Sequence, residues 1–236
     1  MMQGNADSIA GVAGRVAAVK STLPQGVELV AVSKFHPLES VIEAARGGQR
    51  LFGESRVQEL QQKVDMLADV SNAPAIEWHF IGHLQTNKVR QLLRLRPAMI
   101  ESVDSFRVLD AIDSEAALQG IVQRVLLQVH VAAEDTKTGF APDELIDYFA
   151  HGGYRQLKAT HLCGVMGMAT NTDDRDRIAA DFAAIRDCRD RIAAICDDLV
   201  GFDHVSMGMS DDYPLAVEHG ATMVRVGSRI FGARQY

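Results

Sequence analysis

Apolar residues recur along this chain in two alternating rhythms. Short continuous runs, rich in β-branched residues, are followed by stretches whose apolar residues fall three or four positions apart. The first rhythm reads as strands buried on both faces, the second as amphipathic helices packed over them. Asp7 to Ser21 carries Ile9, Val12, Val16 and Val19 near a 3.6 spacing and predicts a leading helix. VELVAVSK (27–34) then precedes helical PLESVIEAARGG (37–48), with proline near its start and glycines at its end. RLFGES (50–55) precedes VQELQQKVDMLADV (57–70). IEWHFIG (76–82) precedes a helix over 86–95, and AMIESVDS (98–105) precedes FRVLDAIDSEAAL (106–118). RVLLQVHV (124–131) leads through the polar loop AAEDTKTGF to PDELIDYFAHGG (142–153). LKATHLCGVMGM (157–168) precedes a long helix over 173–199. HVSMGMS (204–210) precedes PLAVEHGA (214–221), and MVRVGSRIF (223–231) is the eighth strand candidate.

Eight such units in 236 residues point to an α/β fold, a (β/α)8 TIM barrel with an extra N-terminal helix. An open doubly wound sheet is the alternative, because periodicity does not say whether a sheet closes. The expected organisation is one domain over 1–236, with helix and linker over 1–25 and barrel over 26–232. Composition narrows the partners. With 31 acidic and 24 basic residues the net charge is −7, which offers no global cationic field to nucleic acid or an anionic membrane. Three cysteines without a CxxC read as thiols in a reduced compartment. The N-terminus lacks a signal-peptide pattern and no apolar run reaches the ~20 residues of a membrane span, so a cytoplasmic chain is expected.

In a barrel, chemistry sits at the C-terminal ends of the strands. Val30, Val32 and Lys34 share one strand face, so Lys34 is expected to project into the barrel mouth. A partly desolvated lysine there has a lowered pKa and can attack a carbonyl to form an imine. A solvated lysine after a strand is the plainer alternative. Arg225 and Gly227 share a face at the end of the eighth strand. With Ser228 they form a candidate anion site, as does Ser206 with Gly208 on the strand before; a tight turn with a surface arginine is the alternative. Asp211 or Asp212 is expected to cap the helix that follows. Met166, Met168, Met207 and Met209 read as barrel packing, and Cys188 and Cys196 as the core stripe of the long helix. His79 and His83 lie four apart in a strand-like stretch and are not expected to share a metal. Neither GxGxxG nor GxxxxGK[ST] occurs.

AVSKFHP, FGESRVQEL, WHFIGHLQTNK and SMGMSDDYPLAVEHGATMVRVGSRIFG strongly resemble the pyridoxal 5′-phosphate homeostasis proteins, single-domain relatives of the alanine racemase N-terminal barrel. The similarity runs from about Val27 to Gly232 with the motifs in order. The resemblance implies a barrel of the fold-type III kind with pyridoxal 5′-phosphate as cofactor. It implies that Lys34 carries the cofactor as an internal aldimine and that Arg225 faces the pyridine nitrogen. An arginine there keeps that nitrogen unprotonated and weakens the ring as an electron sink. It further implies that Ser206, Gly227 and Ser228 hold the phosphate, and that His79 and Ser55 lie near the ring or its 3′-oxygen. Two positions depart from the family pattern: Ser55 replaces the usual Asn, and Gly167 stands where Thr is commoner.

Three functions follow. The first, which the motifs favour, is a carrier that holds and releases the cofactor in vitamin B6 homeostasis, without catalytic turnover. Its partners would be the cofactor itself and the apo forms of enzymes that use it, and it would act as a monomer. The second is an amino-acid racemase working through the same imine, whose second acid/base in alanine racemases comes from a domain this length does not accommodate. The third is a Schiff-base aldolase using Lys34 without a cofactor.

Overall fold

The computed structural model describes residues 11–134 and 138–233. Eight parallel strands close into a barrel in sequence order, with the last hydrogen-bonded to the first. They are β1 (Glu28–Val32), β2 (Leu51–Glu54), β3 (Glu77–Phe80), β4 (Met99–Val103), β5 (Gln123–Val129), β6 (Thr160–Gly167), β7 (His204–Ser206) and β8 (Met223–Val226). α1 (Val12–Ser21) precedes β1; α2 (Leu38–Arg46), α3 (Val57–Ala68), α4 (Val89–Arg94), α5 (Phe106–Leu118), α6 (Pro142–Ala150), α7 (Arg175–Ile195) and α8 (Tyr213–Glu218) run between successive strands; α9 (Ser228–Phe231) follows β8. The closed sheet settles the choice that periodicity leaves open. Closure pairs Val30 with Arg225 and Ala31 with Val226, so no strand is left as an unpaired edge.

Most strands are shorter than their apolar runs. β1 stops at Val32, so Lys34 lies in the turn beyond it, and β7 stops at Ser206. The largest departure is at the eighth run. The strand ends at Val226, and residues 228–231 form a helical turn, because Gly227 breaks the extended backbone at φ −117, ψ −74. The 86–95 stretch divides into a 3₁₀ turn (Thr86–Lys88) and α4. The part of the leading helix predicted over 7–10 lies outside the described residues.

Two layers fill the barrel. Val30, Met99, Leu126, Cys163, Met166 and Met223 form a small inner cluster, separate from the larger core between the sheet and the helices. One step of the two-residue strand period above Met99 and Met223 come Glu101 and Arg225. The inward face therefore changes from apolar to charged toward the strands' C-terminal ends. β6 reaches this layer through a bulge. Leu162 pairs with Val125 and Gly164 with Leu126, leaving Cys163 as the extra residue. Gly164 has φ +145, and a Cβ there would lie 1.9 Å from the His204 carbonyl oxygen, so only glycine fits.

Cys188 is buried in α7 and Cys196 at its C-terminal end, as the core stripe predicts. Among the described residues, no helix is long and apolar enough to cross a membrane.

Candidate functional site

The turns after β1, β7 and β8 surround a pocket of about 320 Å³ at the C-terminal end of the barrel, within the size range of small-ligand sites. Lys34, Arg225, Gly227, Ser228, Ser210, Asp211 and His36 supply its polar wall. Val32, Ile81, Met166, Met168 and Met209 supply its apolar one. The donors are an amine, a guanidinium and two hydroxyls, and the rest of the lining is mostly apolar. That chemistry suits a small aromatic anion that also carries a group able to react with an amine.

Local sequence explains the shape. Gly227 sits where a Cβ would come 3.2 Å from the Val32 carbonyl oxygen, so its backbone can draw close to β1 and to the pocket. Its N–H donates to Ser210 Oγ at 3.2 Å, which joins the two turns that line one side. Ser228 opens α9, where a helix start leaves N–H groups without intrahelical partners. His36 stacks on the Phe231 ring at 5.2 Å and closes the rim between the first and last turns. Asp212 takes the N-cap position of α8, but its carboxylate accepts from Met209 N–H at 2.5 Å instead of capping the helix. That bond folds the β7–α8 turn back on itself and sets Met209 and Ser210 on the pocket wall.

A fully buried network lies under the pocket floor. Arg225 donates from Nη1 to Ser206 Oγ at 2.7 Å and from Nη2 to the Gly167 carbonyl at 2.9 Å. Ser206 Oγ donates to Glu101 Oε2 at 2.6 Å, and His79 Nδ1 bonds Glu101 Oε1 at 2.6 Å. Burial works against the Glu101 charge. The bond and charge of His79, the charge of Arg225 and the Ser206 bond outweigh it, so the carboxyl is held below its ordinary value. Burial also lowers the Arg225 pKa, opposed by Glu101 and Asp212; an arginine remains charged. The guanidinium is thereby fixed in orientation at the base of the pocket.

Of the residues singled out in the sequence, Lys34, Arg225, Gly227 and Ser228 come together on the pocket wall. Ser206 does not join them. It faces the barrel axis, and its hydroxyl is committed to Glu101 and Arg225. Ser210, four residues on in the same SMGMS motif, takes the wall position instead. His79 is buried against Glu101, and Ser55 is half-buried after β2; neither is among the lining residues. His83 points elsewhere, to Asp104 at 2.7 Å, so the two histidines do not converge. Three of the four methionines read as packing (Met166, Met168 and Met209) line the pocket, while Met207 is in the outer core.

Glu101 had one legible signal: it is an acidic residue in the middle of a strand, MIESV, whose residues are all buried. Gly167 also has a structural explanation. A Cβ there would meet Ile185 Cδ1 at 2.3 Å, so the side chain usual in the family would need Ile185 to move.

Comparison with known proteins gives the following. Residues 9–235 match the alanine racemase N-terminal domain. A pyridoxal phosphate homeostasis protein of Aquifex aeolicus is 36% identical over 209 residues, covering 89% of this chain and 88% of that one. PipY of Synechococcus elongatus PCC7942, solved with PLP bound, superposes with a TM-score of 0.85 at 36% identity, covering 94% of this chain and 100% of that one. Alanine racemase from Corynebacterium glutamicum superposes with a TM-score of 0.75 at 16% identity, over 94% of this chain and 61% of that one. This last is a likeness of fold.

Proposed function

This chain belongs to the family of the pyridoxal phosphate homeostasis proteins, which share the alanine racemase N-terminal domain, and we propose that it binds pyridoxal 5′-phosphate reversibly through Lys34. The observation that carries this reading is the convergence of Lys34, Arg225, Gly227, Ser228 and Ser210 on one pocket with an apolar face. Pyridoxal phosphate supplies a reactive aldehyde and an electron-accepting ring when bound. Lys34 supplies the amine that condenses with the aldehyde carbon, with loss of water. Arg225 sets a fixed positive charge at the pocket base, where we assign it to the ring nitrogen; a neighbouring cation holds such a nitrogen free of its proton. Ser210 and Ser228 are assigned to the phosphate; Gly227, whose N–H is given to Ser210 Oγ, serves by leaving room for the ligand beside the backbone. Ser206, His79 and Glu101 act through Arg225 by fixing its direction, and Ser55 is assigned no contact.

The chain is read as a carrier, a single barrel with a leading helix. It acts as a monomer that delivers the cofactor to apo-enzymes without turnover of its own. The name of its relatives supports the role in homeostasis, and the assignment of Arg225 to the ring nitrogen supports the lack of turnover, because a cation there weakens carbanion chemistry.

The test is spectroscopic. Purified protein titrated with pyridoxal phosphate is expected to gain a visible absorbance band, and borohydride reduction followed by peptide mapping is expected to place the label on Lys34. Lys34→Ala removes both signals. A label on another lysine, or no band in the wild type, overturns the reading. Exchange of the α-hydrogen of L-alanine in deuterated water, present in the wild type and lost in Lys34→Ala, would replace the carrier with a racemase.

A further inference from the structure

Beneath the turn that carries Lys34, and outside the pocket wall, lies a second buried ionic cluster. Lys63, on α3, is 5% exposed. Its ammonium donates to the Ser33 carbonyl at 2.8 Å, to Glu54 Oε1 at 2.6 Å and to Glu59 Oε1 at 2.9 Å. Those three bonds use all three of its donors. Glu59 Oε1 also accepts from the Phe35 N–H at 2.6 Å, and Ser33 Oγ donates to Glu54 Oε1 at 2.6 Å. The peptide groups on both sides of Lys34 are therefore gripped by two side chains of α3, while Glu54 of β2 holds Lys63 and the Ser33 hydroxyl.

Two features separate this cluster from ordinary packing. A lysine buried with two carboxylates is a costly way to fill space, and apolar residues of similar volume serve stability as well or better. The grip also falls on a turn that needs enforcing. Phe35 has φ +66, a left-handed conformation that a bulky side chain adopts only where its surroundings hold it. Arg56 covers its ring at 4.9 Å.

We propose that Lys63, with Glu54 and Glu59, is a positioning clamp that fixes the direction in which Lys34 enters the pocket. This rests on the reading of Lys34 as the attachment point. A loosened turn leaves only a fraction of molecules with Lys34 directed into the pocket, and apparent affinity falls by that fraction, so a clamp on the flanking peptides acts on binding without touching the ligand.

The test compares Glu59→Gln, Glu59→Ala, Lys63→Met and a control, Val64→Ala, in the whole protein. Gln keeps an oxygen that can accept from Phe35 N–H; Ala does not. Two quantities are read: hydrogen exchange at the Phe35 amide in ligand-free protein, and the dissociation constant for pyridoxal phosphate by absorbance titration. Glu59→Ala and Lys63→Met are expected to speed exchange and weaken binding at least about tenfold, equivalent to 1.4 kcal/mol. Glu59→Gln is expected to stay near wild type. Val64→Ala, on the same helix, lowers the melting temperature but leaves both quantities in place. If Lys63→Met does not fold, the Glu59 pair decides. Wild-type exchange and affinity in Glu59→Ala overturn the clamp, as does damage from Glu59→Gln equal to that from Ala, or a Val64→Ala effect of the same size. A wild type that takes up no pyridoxal phosphate defeats the reading of the pocket; Phe35 exchange, unchanged in Glu59→Ala, would then defeat the clamp separately.

Discussion

Glu54 ends β2 and Glu101 lies in β4, and both side chains are completely buried, yet burial leaves them on opposite sides of the ordinary carboxylate range. Glu101 has a partner on each oxygen, His79 on one and Ser206 on the other, with Arg225 4.0 Å away. Glu54 receives Lys63 and Ser33 on Oε1, while its Oε2 has no hydrogen-bond partner among the described residues. Desolvation dominates there. Lys63 and Ser33 oppose it, the nearby Glu59 charge adds to it, and the carboxyl is pushed up. The acidity of a buried carboxylate is thus set by how completely its partners surround it. Glu101 belongs to a closed network that fixes Arg225, and Glu54 to an incomplete one whose other members grip the Lys34 turn.

The sharpest way to break this comparison is to neutralise each carboxylate in turn. Glu101→Gln leaves Arg225 buried without its counter-charge, and one member removed from a buried charge network costs about 3–5 kcal/mol. Urea unfolding at pH 7 measures it. Pyridoxal phosphate affinity is expected to fall as well, since Arg225 loses the bond chain that aims it. Glu54→Gln is expected to cost far less, about 1 kcal/mol or under, because the loss of a charged acceptor for Lys63 is offset by relief from desolvation. Equal costs at the two positions would show that partner completeness does not separate them.

The same contrast explains what was legible in the sequence. Continuous apolar runs and helical spacing located all eight strands, because strands covered on both faces leave no other pattern. Lys34, Arg225, Gly227 and Ser228 were legible because they end a strand or follow one closely, and the segments after barrel strands line the mouth; parity alone does not place them, since Lys34 and Gly227 lie beyond their strands. What escaped depends on distances between strands far apart in the chain. Ser206 and Ser210 occupy one motif, and nothing local says that the first turns to Glu101, 105 residues away, while the second faces the pocket. The end of β8 was overextended because RIF reads as strand by composition, although Gly227 turns it into a helix. The Lys63 cluster was hidden for the same reason, since a lysine on an amphipathic helix reads as solvated until β2 and the Lys34 turn are seen to enclose it.

The finest discrimination between the two carboxylates is the sign of their pH dependence. A group whose folded pKa is depressed adds stability above its unfolded pKa and loses it as pH falls through the folded value; Glu101 is such a group. A carboxyl whose folded pKa is raised subtracts stability at high pH, and that deficit is recovered as pH falls through the folded value toward the unfolded one; Glu54 is this case. The gap between wild type and Glu101→Gln should therefore narrow on acidification, while the gap between wild type and Glu54→Gln widens. The Glu54 change comes first, on the high side of the ordinary carboxylate range, and the Glu101 change follows on its low side. Each pKa unit separating folded from unfolded contributes 1.36 kcal/mol, so urea midpoints collected from pH 7 down to the acid limit of folding resolve both slopes. Parallel slopes would mean that Glu54 and Glu101 share one electrostatic environment, and that the unpartnered Oε2 of Glu54 has no energetic consequence.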